Sequence, residues 1–276
     1  MSRSYGISLA SWSLHKSMGE GPGKFPLLEM PKVAKHEFGI EAIELTRALV
    51  PSLEPGYLDR LSRSAAAEGV RILLIMVSGQ GDLGAADAAE REQAVAAHRK
   101  WIATAAHLKC HSVRICWGGA AQDTMTKPEA FNAFLERSID PIRQLCDYAA
   151  ERDLNVLLEN HGGPSSHPEA VSQLISRLNH PRFGTLPDFG NFPPEIDRCE
   201  AVDAMMPHAS AVSAKCYDFN DFTGEETTLD YGRLIEIVAD KHGYEGYIGV
   251  EYEGDRLSEF AGIKACKCLL GKLRSV

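Results

Sequence analysis

Short apolar runs alternate with longer amphipathic stretches along the whole chain, and this alternation constrains the fold more than any other feature. The runs have the length of buried strands, and the stretches repeat their apolar residues at helical spacing. Eight strands and eight helices in strict alternation predict parallel pairing with right-handed crossovers. Because open sheets of eight strands are uncommon, we expect a closed (β/α)8 barrel, an α/β fold in which residues 1–276 form a single domain.

The predicted strands cover residues 5–10, 39–45, 70–77, 112–117, 155–159, 183–188, 209–216 and 246–252. The predicted helices cover residues 27–37, 56–68, 85–108, 128–152, 168–178, 195–206, 229–242 and 257–273.

Composition narrows the class of protein. The net charge is −9 and no basic stretch stands out, which argues against a nucleic-acid partner. No apolar run approaches the roughly 20 residues of a membrane-spanning helix, so we expect no membrane association. The 7 cysteines are odd in number and form no CxxC pair, which predicts reduced thiols in a cytoplasmic protein.

The fifth predicted strand runs straight into polar residues. Residues 156–163 read VLLENHGG, which is three apolar residues followed by a carboxylate, an amide, an imidazole and two glycines. A strand buried on both faces cannot hold Glu159 in its middle. It can hold Glu159 at its C-terminal end, where ligands bind in this fold class. A strand end with an exposed glutamate is the plainer alternative.

Two other predicted strands also end in carboxylates, Asp188 after strand six and Glu251 on strand eight. In a barrel these two groups and Glu159 would converge, and their repulsion would raise their pKa values unless a cation compensates them. Oxygen ligands suit Mn²⁺, Mg²⁺ or Co²⁺ better than they suit Zn²⁺, so the pattern predicts a divalent metal site. In the alternative, the acids lie apart on the rim as solvated charges.

Further side chains near these strand ends are candidates for binding a substrate. Lys215 lies on the same side of strand seven as Ser213, and it could pair with an anionic intermediate or be a solvated rim lysine. The rings of Trp12 and Trp117 could stack on a sugar or pack in the core. The remaining candidate substrate-binding residues are Glu44, Asn160, Asn191, Tyr217 and Glu253.

Five segments of the chain resemble the xylose-isomerase-like barrel superfamily, which contains sugar isomerases and epimerases, inosose dehydratases and endonuclease IV. The segments are GIEAIEL, LLENHGG, LPDFGNF, SAKCYDF and GYEGYIGVEYEG, on predicted strands two, five, six, seven and eight. The resemblance covers nearly the whole chain and implies a TIM barrel with one divalent metal held after strands five to eight.

The metal-ligand positions implied by the resemblance are Glu159, Asp188, Ser213 and Glu251. The superfamily usually has histidine at the third position, and a serine hydroxyl is a poorer ligand than an imidazole. Three alternatives follow. The metal is bound more weakly, a fourth ligand comes from elsewhere with His161 the nearest candidate in sequence, or no metal is kept.

The resemblance also implies a reaction, in which Glu159 and Glu251 are the acid/base pair and Lys215 helps to neutralise an enediolate. We therefore expect a metal-dependent isomerase or epimerase of a small keto sugar or polyol-derived ketone. The resemblance is also compatible with a homo-oligomer. The alternatives are a keto-sugar or inosose-type dehydratase or lyase, and a barrel that binds a sugar without turnover. A DNA-repair nuclease is disfavoured, because the chain is acidic and lacks the several histidines of a trinuclear zinc site.

Overall fold

The computed structural model describes residues 3–118 and 126–275. Within these residues eight strands alternate with eight helices, as the sequence predicts. The strands are β1 Gly6–Ala10, β2 Ala42–Thr46, β3 Arg71–Met76, β4 Ser112–Ile115, β5 Asn155–Glu159, β6 Phe183–Leu186, β7 Val212–Cys216 and β8 Tyr247–Tyr252. The helices are α1 Met30–Phe38, α2 Pro55–Glu68, α3 Ala88–His107, α4 Pro128–Ala150, α5 Pro168–Leu178, α6 Arg198–Met205, α7 Tyr231–Ile235 and α8 Glu259–Arg274.

The described strands form one sheet in the order β6-β5-β4-β3-β2-β1-β8-β7. A further parallel bridge joins Thr185 of β6 to Ala209, a few residues before β7. Parallel strands of this order, each followed by a helix, confirm the predicted (β/α)8 barrel fold.

The backbone divides into two compact units. The first unit comprises the described residues up to Leu73 and from Ala211 onward, and it contains β1, β2, β7 and β8. The second unit runs from Leu74 to Ser210 and contains β4, β5 and β6. The expectation that the whole chain is one domain stays a prediction.

Apolar strand residues build the core of each unit. In the second unit Val156, Leu157 and Leu158 are fully buried, which confirms that β5 is covered on both faces. In the first unit Leu9 and Val250 are equally buried on β1 and β8. Each such side chain contributes about 1.5–3 kcal/mol on burial, so a polar residue inside these strands must find a partner.

Local sequence sets the helix ends. Gly39 and Gly69 adopt the left-handed conformation that closes α1 and α2, a conformation in which a β-carbon is strained. Asp87 caps α3 by accepting hydrogen bonds from the backbone N–H groups of Ala89 and Glu90. None of the helices in the described ranges is long and apolar enough to cross a membrane.

Several elements are shorter than predicted. β4 ends at Ile115 and β6 at Leu186, each two residues before the predicted end. β6 ends early because the backbone N–H of Asp188 donates its hydrogen bond to the side chain of Asn160, 2.7 Å away. The seventh predicted helix is divided into α7 and a π-helical segment, Glu236–Lys241.

Candidate active site

The carboxylate at the end of β5 lies in a buried ion pair within the second unit. Glu159 is 1% exposed, and its Oε2 lies 2.5 Å from Nε of Arg114 on β4, which is 4% exposed. Its Oε1 accepts a hydrogen bond from the side-chain amide of Asn191 at 3.1 Å. An unpaired charge is costly to bury, so these partners explain how a core strand can end in a carboxylate. The alternative of an exposed Glu159 is wrong.

The carboxylate after β6 is oriented by the backbone around it. Asp188 is fully buried, and its Oδ1 accepts hydrogen bonds from the N–H groups of Gly190 and Asn191, both at 2.8 Å. The side chain of Asn160 bonds to both the N–H and the carbonyl of Asp188, at 2.7 and 3.0 Å. Both ends of the buried Asn160 amide hold the backbone of the β6 loop, and the expected role of Asn160 in substrate binding stays a prediction.

A thiol and an imidazole lie beside the Glu159–Arg114 pair. The Sγ of Cys116 accepts a hydrogen bond from Nη1 of Arg114 at 2.9 Å, lies 3.3 Å from Oγ of Ser78, and is hydrogen-bonded to the ring of His161. Burial alone would raise the pKa of Cys116, but the Arg114 charge and the hydrogen bonds lower it to about 6. The hydrogen bond to Cys116 and the charge of Glu159 raise the pKa of His161 to about 9, against the effect of burial.

The carboxylate of β8 belongs to the first unit and is held by two side chains of β7. Oε2 of Glu251 accepts a hydrogen bond from Oγ of Ser213 at 2.8 Å and lies 3.3 Å from Nζ of Lys215. The same Nζ lies 3.0 Å from Oε1 of Glu253. Lys215 is 2% exposed, so the alternative of a solvated rim lysine is wrong. Glu251 is also buried, as Glu159 and Asp188 are, which excludes solvated rim charges for all three acids.

Glu44 lies deeper in the first unit than a substrate-binding role would suggest. It is 2% exposed, and its Oε1 accepts a hydrogen bond from Oγ of Ser8 at 2.6 Å. Its carboxylate occupies the space where Gly249 lacks a side chain, since a β-carbon there would lie 2.6 Å from Oε1. Glu44 therefore fills the interior between β1, β2 and β8.

The aromatic candidates differ in their surroundings. Trp117 is 2% exposed, donates its Nε1–H to Oγ of Ser138 at 2.8 Å, and packs against Phe134. The ring packs against α4, in agreement with the core-packing alternative. Trp12 is half-buried and stacks on the ring of His15 at 4.6 Å. Tyr217 is also half-buried.

The buried acids have the chemistry of a divalent cation site. Glu159, Asp188 and Glu251 offer hard carboxylate oxygens, which suit Mg²⁺ or Mn²⁺. Hydrogen-bond or ion-pair partners orient each of them, as outer partners orient metal ligands in general. Each of these carboxylates therefore has the donor chemistry of a ligand for a divalent cation, and Ser213 donates a hydrogen bond to one of them, Glu251.

Sequence reasoning missed Arg114, Cys116 and Ser78. One signal could have found Arg114: it lies inside the apolar β4, where an arginine is buried only when it is paired. Cys116 and Ser78 carry no such signal, because a cysteine or serine after a strand is common without any function.

Comparison with known proteins identifies the family of the chain. The family model described as xylose isomerase-like TIM barrel matches residues 33–269. No curated protein sequence matches the chain.

Solved structures resemble the fold at low sequence identity. A 3-keto-D-glucoside 4-epimerase from E. coli is 15% identical with a TM-score of 0.74, over 99% of this chain and 100% of that one. A probable 3-DHS dehydratase from Bacillus anthracis is 17% identical with a TM-score of 0.72, over 96% and 98% of the two chains. A xylose isomerase-like TIM barrel protein from Mycobacterium smegmatis, in complex with magnesium, is 20% identical with a TM-score of 0.70, over 98% and 97%. At these identities the likeness shows the fold.

Proposed function

This chain belongs to the xylose isomerase-like TIM barrel family, and from that premise we propose that it isomerises or epimerises a small keto sugar or a polyol-derived ketone. The observation that carries the proposal is the burial of Glu159 and Glu251 at the ends of β5 and β8. Each carboxylate lies beside a buried, positively charged side chain. Two carboxylates held in fixed orientation are the groups that proton removal and return at carbon require.

The proposal assigns a role to each polar residue. One of Glu159 and Glu251 takes the proton from the carbon next to the carbonyl, and the other returns a proton. Lys215, held between Glu251 and Glu253, stabilises the negative charge that develops on the substrate oxygen. Asn191 and Glu253 are half-buried and offer hydrogen bonds to sugar hydroxyls.

We propose that Glu159, Asp188 and Glu251 hold one divalent cation of the Mg²⁺, Mn²⁺ or Co²⁺ class. When bound, such a cation polarises the carbonyl and acidifies the neighbouring C–H bond. A magnesium complex of a structurally similar protein supports the proposal. The proposed ligand set leaves out His161, because its ring is engaged by Cys116.

Elimination of water is a second candidate reaction. It needs an acid that protonates the leaving hydroxyl, and the pKa of the His161 imidazole is raised to about 9, so it carries a proton at neutral pH. The structural likeness to a probable 3-DHS dehydratase supports this alternative. Isomerisation keeps the mass of the substrate, whereas elimination lowers it by one water.

The test is turnover of a panel of keto sugars with Mn²⁺ in D₂O, followed by mass spectrometry and NMR. We expect an isomer that carries deuterium next to the carbonyl. Glu159→Gln and Glu251→Gln should each lower turnover about 10²–10⁴-fold. The matched control is Glu41→Gln, the same change at an exposed surface pair with Lys35. Turnover without deuterium would remove both glutamates from the base role, and binding without turnover would favour a sugar-binding protein.

A further inference from the structure

The C-terminal end of β8 extends beyond its neighbour β1, and both strands belong to the first unit. β1 pairs with β8 up to Leu9, which lies opposite Val250, and β1 ends one residue later at Ala10. β8 continues to Tyr252. Val250 and Tyr252 are both buried, and buried backbone N–H and C=O groups need hydrogen-bond partners. The last groups of β8 must therefore find a partner other than β1.

The hydroxyl of Ser13 is that partner. Ser13 lies in a short 3₁₀ helix, Ser11–Leu14, which the chain enters directly after β1. Its Oγ donates a hydrogen bond to the carbonyl of Val250 at 3.1 Å and accepts one from the N–H of Tyr252 at 2.9 Å. Because a serine hydroxyl both donates and accepts, it replaces the backbone of the strand that has ended. Ser13 is fully buried, which keeps solvent away from both bonds.

These two bonds act on the proposed acid/base residue Glu251. The Val250 carbonyl belongs to the peptide group before Glu251, and the Tyr252 N–H belongs to the peptide group after it. Because one oxygen atom holds both planar peptide groups, it fixes the φ and ψ angles of Glu251 and the direction of its Cα–Cβ bond. At the other end of the side chain, Oε2 accepts a hydrogen bond from Ser213 at 2.8 Å and lies 3.3 Å from Nζ of Lys215. Glu251 is therefore held at both ends.

We propose that Ser13 is a positioning residue for Glu251, a role that rests on the proposed function. Proton transfer at carbon requires a carboxylate in hydrogen-bond reach of the proton, and a misplacement of about 1 Å can cost roughly 100-fold in rate. Ser13→Ala removes the hydroxyl from the Val250 carbonyl and the Tyr252 N–H. The end of β8 then loosens locally, and the carboxylate of Glu251 loosens with it.

Ser11 provides a matched control in the same 3₁₀ helix. It is as fully buried as Ser13, and its Oγ accepts a hydrogen bond from the N–H of Thr46 on β2 at 2.7 Å. Ser11→Ala removes the same atom from the same helix, but the bond that it breaks leads to β2 rather than to β8. The two variants therefore separate a general loss of stability from a local effect at Glu251.

The first measurement needs no substrate. NMR of the isotope-labelled full chain follows amide hydrogen exchange and the carboxyl carbon resonance of Glu251. In Ser13→Ala we expect the Tyr252 amide to exchange about tenfold faster and the Glu251 resonance to broaden. In Ser11→Ala the Thr46 amide should exchange faster, while the Tyr252 amide and the Glu251 resonance stay as they are in the unaltered protein.

The second measurement is turnover of the keto sugar that the panel identifies. Ser13→Ala should lower kcat about 10–100-fold and change KM less than about threefold, because it acts on proton transfer rather than on binding. Ser11→Ala should keep kcat within about threefold of the unaltered protein. Ser13→Cys keeps a weak donor and acceptor at the same place, so its kcat should fall between those of the unaltered protein and Ser13→Ala.

The positioning role is contradicted if the Tyr252 amide exchanges at its original rate in folded Ser13→Ala. It is also contradicted if Ser13→Ala and Ser11→Ala lower kcat equally. If Ser13→Ala does not fold, Ser13→Cys decides both measurements. Absence of turnover in the unaltered protein would count against the proposed function alone, and the NMR comparison would then decide whether Ser13 positions Glu251.

Discussion

The ion pair between Arg114 and Glu159 makes a quantitative prediction about stability. Arg114→Met removes the guanidinium whose Nε lies 2.5 Å from Glu159, while the methionine side chain keeps much of the aliphatic volume. Both partners are at least 96% buried, so solvent cannot replace the lost cation. Removal of one partner from a buried pair typically costs about 3–5 kcal/mol in the free energy of unfolding, because the remaining charge is left in the interior.

The double variant tests the reason for that cost. Arg114→Met combined with Glu159→Gln leaves no charge at either position, so it should be more stable than Arg114→Met alone by about 1–3 kcal/mol. Glu159→Gln alone leaves the Arg114 guanidinium buried and should also be destabilising. The matched control is Arg182→Met, which breaks an exposed pair with Asp153 and should cost at most about 1 kcal/mol.

Urea unfolding followed by circular dichroism measures all four variants, with the unfolding slope checked for constancy. The explanation by an uncompensated buried charge is refuted if Arg114→Met lowers the free energy of unfolding by no more than Arg182→Met does. It is also refuted if the double variant is as unstable as the sum of the two single variants.

Three further predictions address the rest of the site. Ser213→His should lower the dissociation constant for Mn²⁺ in a calorimetric titration, because imidazole is a stronger ligand than a hydroxyl; an unchanged constant would contradict the proposed ligand position. Asn160→Leu should lower the free energy of unfolding by about 2–4 kcal/mol in urea, since it leaves the N–H and carbonyl of buried Asp188 without their partner; a loss below about 1 kcal/mol would contradict the positioning role. The thiolate absorbance of Cys116 should rise with a midpoint near pH 6, with the deprotonated form above it, and Cys116→Ser should abolish this step.

Much of the site could be predicted because the strand period is local. Alternate residues of a strand share a side, so Ser213 and Lys215 were expected together, and both contact Glu251. The same period puts Glu251 and Glu253 on one side of β8, and both lie beside the Lys215 ammonium. An apolar run that stops at a carboxylate likewise located Glu159 at the end of β5.

Other parts of the site depend on partners that are distant in sequence. Trp117 and Asn160 looked like binding residues because they follow strands. The ring of Trp117 instead packs against Ser138 and Phe134 of α4. The side chain of Asn160 instead bonds to the backbone of Asp188. Neither partner lies near its residue in the chain, so no local pattern could reveal the contact.

The sequence by itself determined the number and order of the strands and helices, and the carboxylates at the strand ends, because these follow from short-range periodicity and from the cost of burying charge. Tertiary structure alone decided which side chains and backbone groups hold each carboxylate and which donors surround the sulfur of Cys116. Arg114 reaches Glu159 and Cys116 because the parallel register of β4 and β5 sets Arg114 opposite Leu157, two residues before Glu159. That register joins two strands that are distant in sequence, so no local pattern could reveal these contacts.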